Sequence, residues 1–428
     1  MTSKMQDGES ANWSPPRRRG WLFELSRPAA RAVRALVFRL AYAYFSATVD
    51  MDPTAVLMLS DTKLTTQGNL LPIRDALAGT PMHAIVIDKP SKRHRRGVKI
   101  SLGILRTIAS CKYVLLEDHS PLVHEITPRP GQEFIQTWHA SGAFKRIGHS
   151  RLLIGESPGR IFHRNYAFAI VGGEANRAPY AEGFGMPIER VVATGLPRTD
   201  RFFDPDYVAA TRSRIFAEHP AIVGKRVVLF APTFRGMNSV EAYYDWDRLD
   251  FDGLAKTLGD ECVFLIKPHP YSAHNLDRPE QAVYRELVQG AIARHPGLFL
   301  DFSAFPDVND LLLVTDVLVT DYSSIVFELS LLDKPVVFFA YDYDEYTAHR
   351  GFYFDFSEYT YGPVVRTSAE LGDAIVSAGV DEPRLAVFRE RFTAACDGHA
   401  ARRFVETFFA DELGTGPAGA AGARLTSR

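Results

Sequence analysis

The amino-acid sequence predicts an α/β protein made of two doubly wound, Rossmann-like domains facing one another across a cleft, with an amphipathic helix ahead of them. Three observations carry that expectation. Short apolar runs such as Val317-Leu318-Val319 and Val336-Val337-Phe338-Phe339 lack polar alternation, as strands covered on both faces of a parallel sheet do. These runs alternate with helical stretches over residues 54–200 and again over 226–340, the pattern of stacked βα units. A chain of 428 residues is too long for one ordinary domain, while 46% apolar and 23% charged residues suit folded protein. The expected divisions are 1–50, a disordered arm plus a basic amphipathic helix; 51–210 and 211–412, the two domains; and 413–428, a disordered Gly/Ala-rich tail.

In chain order, residues 1–16 read as disordered. Arg17-Arg18-Arg19 then opens a segment to Phe45 holding seven arginines against one acid, Glu24. On a helix, Arg27, Arg31 and Arg34 share one face, and Leu22, Leu25, Val33, Leu36, Val37, Leu40 and Tyr44 lie towards the other. Such a helix suits an anionic membrane surface, peripherally, because its arginines interrupt every apolar run before the roughly 20 residues that a crossing needs. The plainer reading packs it on the first domain.

The first domain's strands are expected at 55–59, 84–87, 113–116, 133–137, 167–171 and 190–192. Lys89-Pro90-Ser91-Lys92-Arg93-His94-Arg95-Arg96 is either a solvated loop or a contact for a polyanion or anionic lipid. His139 falls where the fourth strand ends, at the edge where open α/β sheets bind ligands. There it could take a proton from an alcohol near neutral pH. Lys145 and Arg146 follow, as phosphate partners or as solvated cations.

The second domain restarts at 226–231 and turns at Pro232-Thr233-Phe234-Arg235-Gly236. Its next strand ends in Lys267-Pro268-His269-Pro270, a histidine held between prolines. Val317 to Thr320 runs into Asp321-Tyr322-Ser323-Ser324 and a helix expected through Leu332. At that junction, unpaired first-turn amides and two hydroxyls suit a phosphate, although Ser and Asp also serve simply as caps. Arg350-Gly351-Phe352-Tyr353-Phe354-Asp355-Phe356 adds an aromatic loop with a cation. The net charge of −2 argues against a nucleic-acid binder as a whole. Cys111, Cys262 and Cys396 are widely spaced and read as core residues. Asp316, Asp321 and Asp355 make no Asp-X-Asp site, so no metal and no cofactor is expected.

Thr137-Trp138-His139, Lys145-Arg146-Ile147-Gly148, Gly195-Leu196-Pro197-Arg198-Thr199-Asp200, Pro232-Thr233-Phe234-Arg235, Lys267-Pro268-His269-Pro270, Thr320-Asp321-Tyr322-Ser323-Ser324 and Arg350 to Asp355 form an ordered series. Over roughly residues 55–405 it resembles the CDP-glycerol glycerophosphotransferase family of teichoic acid primases and polymerases, of GT-B type. The resemblance implies transfer of polyol phosphate, glycerol phosphate first, from CDP-glycerol or CDP-ribitol to a hydroxyl of a lipid-linked saccharide or phosphopolymer, at the cytoplasmic face of the membrane. It implies His139 as general base and His269 as a contact to the donor diphosphate. Ser323, Ser324, Arg350, Arg235, Thr233 and Asp321 would serve the CDP donor in the second domain. Lys145, Arg146 and Arg198 would serve acceptor or phosphate. Two positions depart from the family pattern: His139-Ala140-Ser141-Gly142 replaces His-Gly-Thr-Pro, and Gly236 stands where an acid is common. Alternatives are a GT-B glycosyltransferase using a nucleotide sugar, and a non-catalytic nucleotide-binding scaffold.

Overall fold

The computed structural model describes residues 21–60, 68–88, 98–154, 163–236, 241–275, 278 and 281–415. The basic loop 89–96, Arg17-Arg18-Arg19, the side chains of Arg27 and Arg31, and the tail beyond 415 lie outside the described residues.

Two six-stranded sheets are present, and every strand pair in them is parallel. The first contains β1 (Asp52–Leu59), β2 (His83–Ile87), β3 (Cys111–Leu116), β4 (Glu133–Gln136), β5 (Phe168–Ile170) and β6 (Val191–Val192), in the order β2-β1-β3-β4-β5-β6. The second contains β7 (Arg226–Phe230), β8 (Cys262–Ile266), β9 (Phe299–Asp301), β10 (Val317–Thr320), β11 (Val336–Phe339) and β12 (Val364–Val365), in the order β12-β11-β10-β7-β8-β9. Eleven of these strands coincide with apolar runs read from the sequence. The two-residue β12, paired through Phe338↔Val364, is too short to leave a signal of its own. Strand order reverses between β1 and β3 in the first sheet and between β7 and β10 in the second. Crevices for ligands form outside the carboxyl ends of strands at such switch points.

Helices exchange across the expected boundary near residue 210. The helix Pro205–Glu218 buries Ile215 among Leu311, Leu312 and Leu313 of the second domain. The helix Ala400–Phe408 returns to the first sheet, where Phe404 and Phe408 cluster with Val56, Met58 and Tyr113. Each end therefore ties one domain to the other. Cys111, Cys262 and Cys396 are buried free thiols.

The N-terminal helix spans Trp21–Thr48. Phe38 and Tyr42 are buried in the first domain's core. Val33, Leu36, Val37, Leu40 and Tyr44, spaced three and four apart, remain exposed at 41–63%. The helix thus packs with one apolar face and presents a second to solvent. Among the described residues, no helix is long and apolar enough to cross a membrane.

Candidate functional site

On the first rim, a strained turn projects His139 from the end of β4. Trp138 adopts φ +52°, a conformation that costs a non-glycine residue about 1–3 kcal/mol. It is held there by its amide donating to Gln136 Oε1 at 2.9 Å and by Asn69 Nδ2 donating to the Thr137 and Trp138 carbonyls at 2.9 Å each. The His139 side chain is 46% exposed, with Nδ1 3.5 Å from Asp118 Oδ1. Asp118 follows β3 just as His139 follows β4, on adjacent strands. A carboxylate that holds Nδ1–H leaves Nε2 as the proton acceptor.

The second rim sits at the β7/β10 switch point. Arg235 spans two carboxylates, with Nη1 2.9 Å from Asp321 Oδ2 and Nε and Nη2 on Asp342 at 2.6 and 2.8 Å. Its guanidinium lies 4.8–5.4 Å from the ring centres of Tyr244, Tyr322, Tyr341 and Tyr346. Asp321 Oδ1 accepts the amides of Thr233 and Tyr322 at 2.8 and 2.6 Å. Both charges are consumed inside this cage, so they shape the crevice from behind. In front of them, Thr233 Oγ1 is buried with no hydrogen-bond partner among the described residues, a cost that a bound ligand would relieve. Ser323 and Ser324 are only partly buried, and Ser324 makes no side-chain capping bond. The helix behind them is α over Ile325–Leu329, one turn and a half, and continues as a 3-10 turn through Leu332 as expected. An anion here would depend on hydroxyls and loop amides more than on a macrodipole.

Groups from the two rims converge on His269. Burial, then the nearby charges of Lys145, His139 and Lys267, push its ring down to about 3, so it is neutral at physiological pH. Its Nδ1 accepts the Tyr271 amide at 3.1 Å, leaving Nε2–H as a donor. Lys145, from the first domain, is lowered to about 8 by burial. Asp321 opposes that shift, and Arg350, Arg235 and Arg151 add to it. Arg350 donates to the Gly236 carbonyl and lies over Phe234 at 5.5 Å.

Two first-domain cations expected to meet acceptor or phosphate are turned elsewhere. Arg146 pairs with Glu182 at 2.9 Å and gives its amide to the Gly351 carbonyl at 3.1 Å. Arg198 is 5% exposed and bonds Glu328 Oε1 at 2.8 Å and Ser141 Oγ at 2.6 Å, so its charge is satisfied at the domain interface. Asp355 caps its own turn through Ser357 instead of meeting an arginine. Asp118, Glu328, Asp342 and Asn69 are the residues that sequence reasoning missed. Only Asp118 left a usable signal, as an acid ending the strand beside the one that ends in His139.

At two of the departing positions, Gly142 and Gly236, the cause is steric. A Cβ at Gly142 would overlap the Phe327 ring, so the His139 loop lies flush on the second domain. Gly236 has φ +92°, and a Cβ there would meet the Glu241 carbonyl, which bars an acid.

Two facing doubly wound sheets with this cleft define the GT-B-like class. Within that class, the chain belongs to the family described as CDP-Glycerol:Poly(glycerophosphate) glycerophosphotransferase, whose pattern residues 42–410 match. It is 36% identical over 390 residues to the teichoic acid poly(ribitol-phosphate) polymerase of Bacillus spizizenii, covering 90% of this chain and 61% of that protein. It is 32% identical to the Staphylococcus aureus ribitol-phosphate polymerase TarK, covering 91% of this chain and 75% of that one. The solved wall teichoic acid polymerase TagF matches with a TM-score of 0.68 at 20% identity, over 92% of this chain and 99% of that one.

Proposed function

We propose that this protein transfers a polyol phosphate from a CDP-polyol to a hydroxyl of a membrane-linked acceptor, releasing CMP. The acceptor oxygen attacks the phosphorus that bears the polyol, and the bond from that phosphorus to the bridging oxygen breaks. His139 Nε2, steadied by Asp118, takes the hydroxyl proton. Ser323, Ser324, the unpartnered Thr233 hydroxyl, Arg350 and the His269 Nε2–H bind the diphosphate, and Lys145 adds a cation from the opposite domain. This suits phosphoryl transfer, where positioning and charge stabilisation dominate. The observation that carries the reading is the convergence of His139 and Lys145 from one domain on His269 of the other.

Ribitol phosphate is placed ahead of the glycerol phosphate expected first. Three relatives that share 32–36% identity are named for ribitol phosphate, whereas those named for poly(glycerol phosphate) share 28%. No metal or other cofactor enters the proposed chemistry, and loss of turnover on adding a chelator would overturn that part. The exposed stripe Val33, Leu36, Val37, Leu40 and Tyr44, with Arg34 exposed beside it, would seat the protein peripherally on an anionic bilayer, at the cytoplasmic face.

The test is CMP release from CDP-ribitol and CDP-glycerol with a lipid-linked acceptor, for the parent and for His139→Ala. CMP from either donor that disappears in the variant supports the proposal. No CMP from either, alongside consumption of a nucleotide sugar, would replace it with the glycosyltransferase reading.

A further inference from the structure

Between the two rims runs a buried polar path that the chemistry above does not use. Glu328 and Arg198 form an ion pair whose side chains are only 6% and 5% exposed. Arg198 Nε and Nη2 both reach Glu328 Oε1, at 3.2 and 2.8 Å, and the Ser141 hydroxyl donates to the same oxygen while accepting from Arg198 Nη2. The three residues come from three places: the His139 loop, the connection between the domains, and the helix behind Ser323 and Ser324.

Each end of this cluster is anchored to a group that meets substrate. Ser141 lies two residues after His139, and Glu328 lies four after Ser324. The Arg198 amide donates to Asn69 Oδ1 at 3.1 Å, and Asn69 Nδ2 holds the Thr137 and Trp138 carbonyls that set the strained turn under His139. The Asn69 amide in turn donates to Glu117 Oε1 at 3.0 Å, one residue before Asp118. The packing follows the same line. Gly142 lies against Phe327, Phe144 sits 3.9 Å from Tyr359 ring to ring, and Tyr353 gives its amide to the Phe144 carbonyl at 3.1 Å.

A buried ion pair is an expensive way to join two domains. Well-packed apolar residues of similar volume commonly hold as well or better, because two charges need not be stripped of water. Here the expense is larger still, since Glu328 Oε2 is buried and has no hydrogen-bond partner among the described residues. What such a pair supplies and an apolar contact does not is one fixed register.

We infer that Ser141, Arg198 and Glu328 are positioning residues that set the separation between the His139 base and the Ser323–Ser324 diphosphate seat. The inference rests on the proposed transfer reaction. In-line attack needs the acceptor oxygen and the phosphorus within a few tenths of an ångström of their working distance, and a misplacement of about 1 Å costs about 100-fold in rate. A single carboxylate oxygen bonded by both loop and connection leaves little freedom for such an error.

The decisive variant is the double substitution Arg198→Met with Glu328→Met, because removing one partner alone strands a buried charge and endangers folding. The double variant is expected to keep its thermal midpoint within a few degrees and its donor KM within about threefold, while kcat for CMP release falls about 100-fold. Ser141→Thr, which keeps the hydroxyl and matches the family pattern, retains the parent kcat, whereas Ser141→Ala loses about tenfold. Hydrogen exchange supplies a readout independent of activity: amides 140–144 exchange about tenfold faster in the double variant. A double variant with parent kcat and parent exchange would overturn the inference, leaving the cluster as ordinary packing. If the parent itself releases no CMP, the transfer reading fails, and the exchange measurement alone then decides for or against the lock.

Discussion

On the first rim, the groups facing the cleft ride one loop whose backbone is strained at Trp138 and whose histidine stands half exposed beside Asp118. On the second, two carboxylates, an arginine and four tyrosines close into a cage whose arginine is paired on both sides, with Ser323, Ser324, His269 and Arg350 outside it. The contrast separates two kinds of polar residue that look alike in a sequence. Two conspicuous cations, Arg235 and Arg198, are used by the protein itself, whereas the donor site is proposed to combine hydroxyls and a neutral histidine with Arg350 and Lys145. A donor seat on one domain and a base on a clamped loop of the other suit the proposed phosphoryl transfer, in which positioning dominates.

The contrast is broken most directly at the first rim. His139→Ala is expected to lower kcat about 1000-fold, within the range for loss of a general base, while CDP-polyol still protects the protein from thermal unfolding. Asp118→Asn keeps a hydrogen-bonding group but removes the charge, and a fall of about tenfold in kcat is expected. Unaltered turnover in Asp118→Asn would detach that carboxylate from the mechanism.

Arginines sharpen the second rim. Arg235→Met leaves Asp321 and Asp342 buried and unpaired, and urea unfolding should show a loss of about 3–5 kcal/mol. Arg350→Met should scarcely move the urea midpoint and should instead raise the donor KM about tenfold. The opposite pattern, with Arg235 governing donor KM in a stable protein, would mean that the cage opens to ligand.

Lys145 carries a pH signature of the cleft between the rims. Its ammonium is cationic below a pKa of about 8 and neutral above it, because burial disfavours the charge. With free enzyme, kcat/KM for the donor should therefore decline above pH 8, approaching tenfold per unit, and Lys145→Arg should carry the plateau beyond pH 9. A basic limb that stays in place in Lys145→Arg assigns it to another group.

Much of the fold was legible because a parallel sheet writes itself as apolar runs, and eleven of twelve strands are such runs. The positions of His139, His269, Thr233, Ser323 and Ser324 were legible for the same reason, since each follows a strand. Partner choice was not. Arg198 meets Glu328 across 130 residues, and Arg235 meets Asp342 across 107. Nothing local in either sequence window encodes such a pairing, which exists only once the second domain has folded for Arg235 and only once the two domains have met for Arg198. The return of Ala400–Phe408 to the first sheet was hidden likewise, because an amphipathic helix records that it is covered and not by what.

A further expected effect distinguishes the cores beneath the two rims. Under the first lie His124 and His163, the fully buried histidines among the described residues, both bonded to Tyr166 OH at 3.4 and 3.3 Å. Burial, then His119 and Arg164 for one and His119, His124 and His149 for the other, holds each ring down to about 3, with Asp118 weakly opposing at His163. In the unfolded chain these rings protonate near pH 6.5. As pH falls below that value, the unfolded state takes up protons that the native state refuses, so stability declines from about pH 6.5 towards pH 3, by at most about 1.4 kcal/mol per unit for each ring. His163→Asn, which tolerates the left-handed backbone at φ +56°, together with His124→Gln, should flatten that acid limb in urea titrations between pH 4 and 6.5. An unchanged limb would detach the acid sensitivity from these two histidines. The first rim's histidine layer would then be inert to acid over that range.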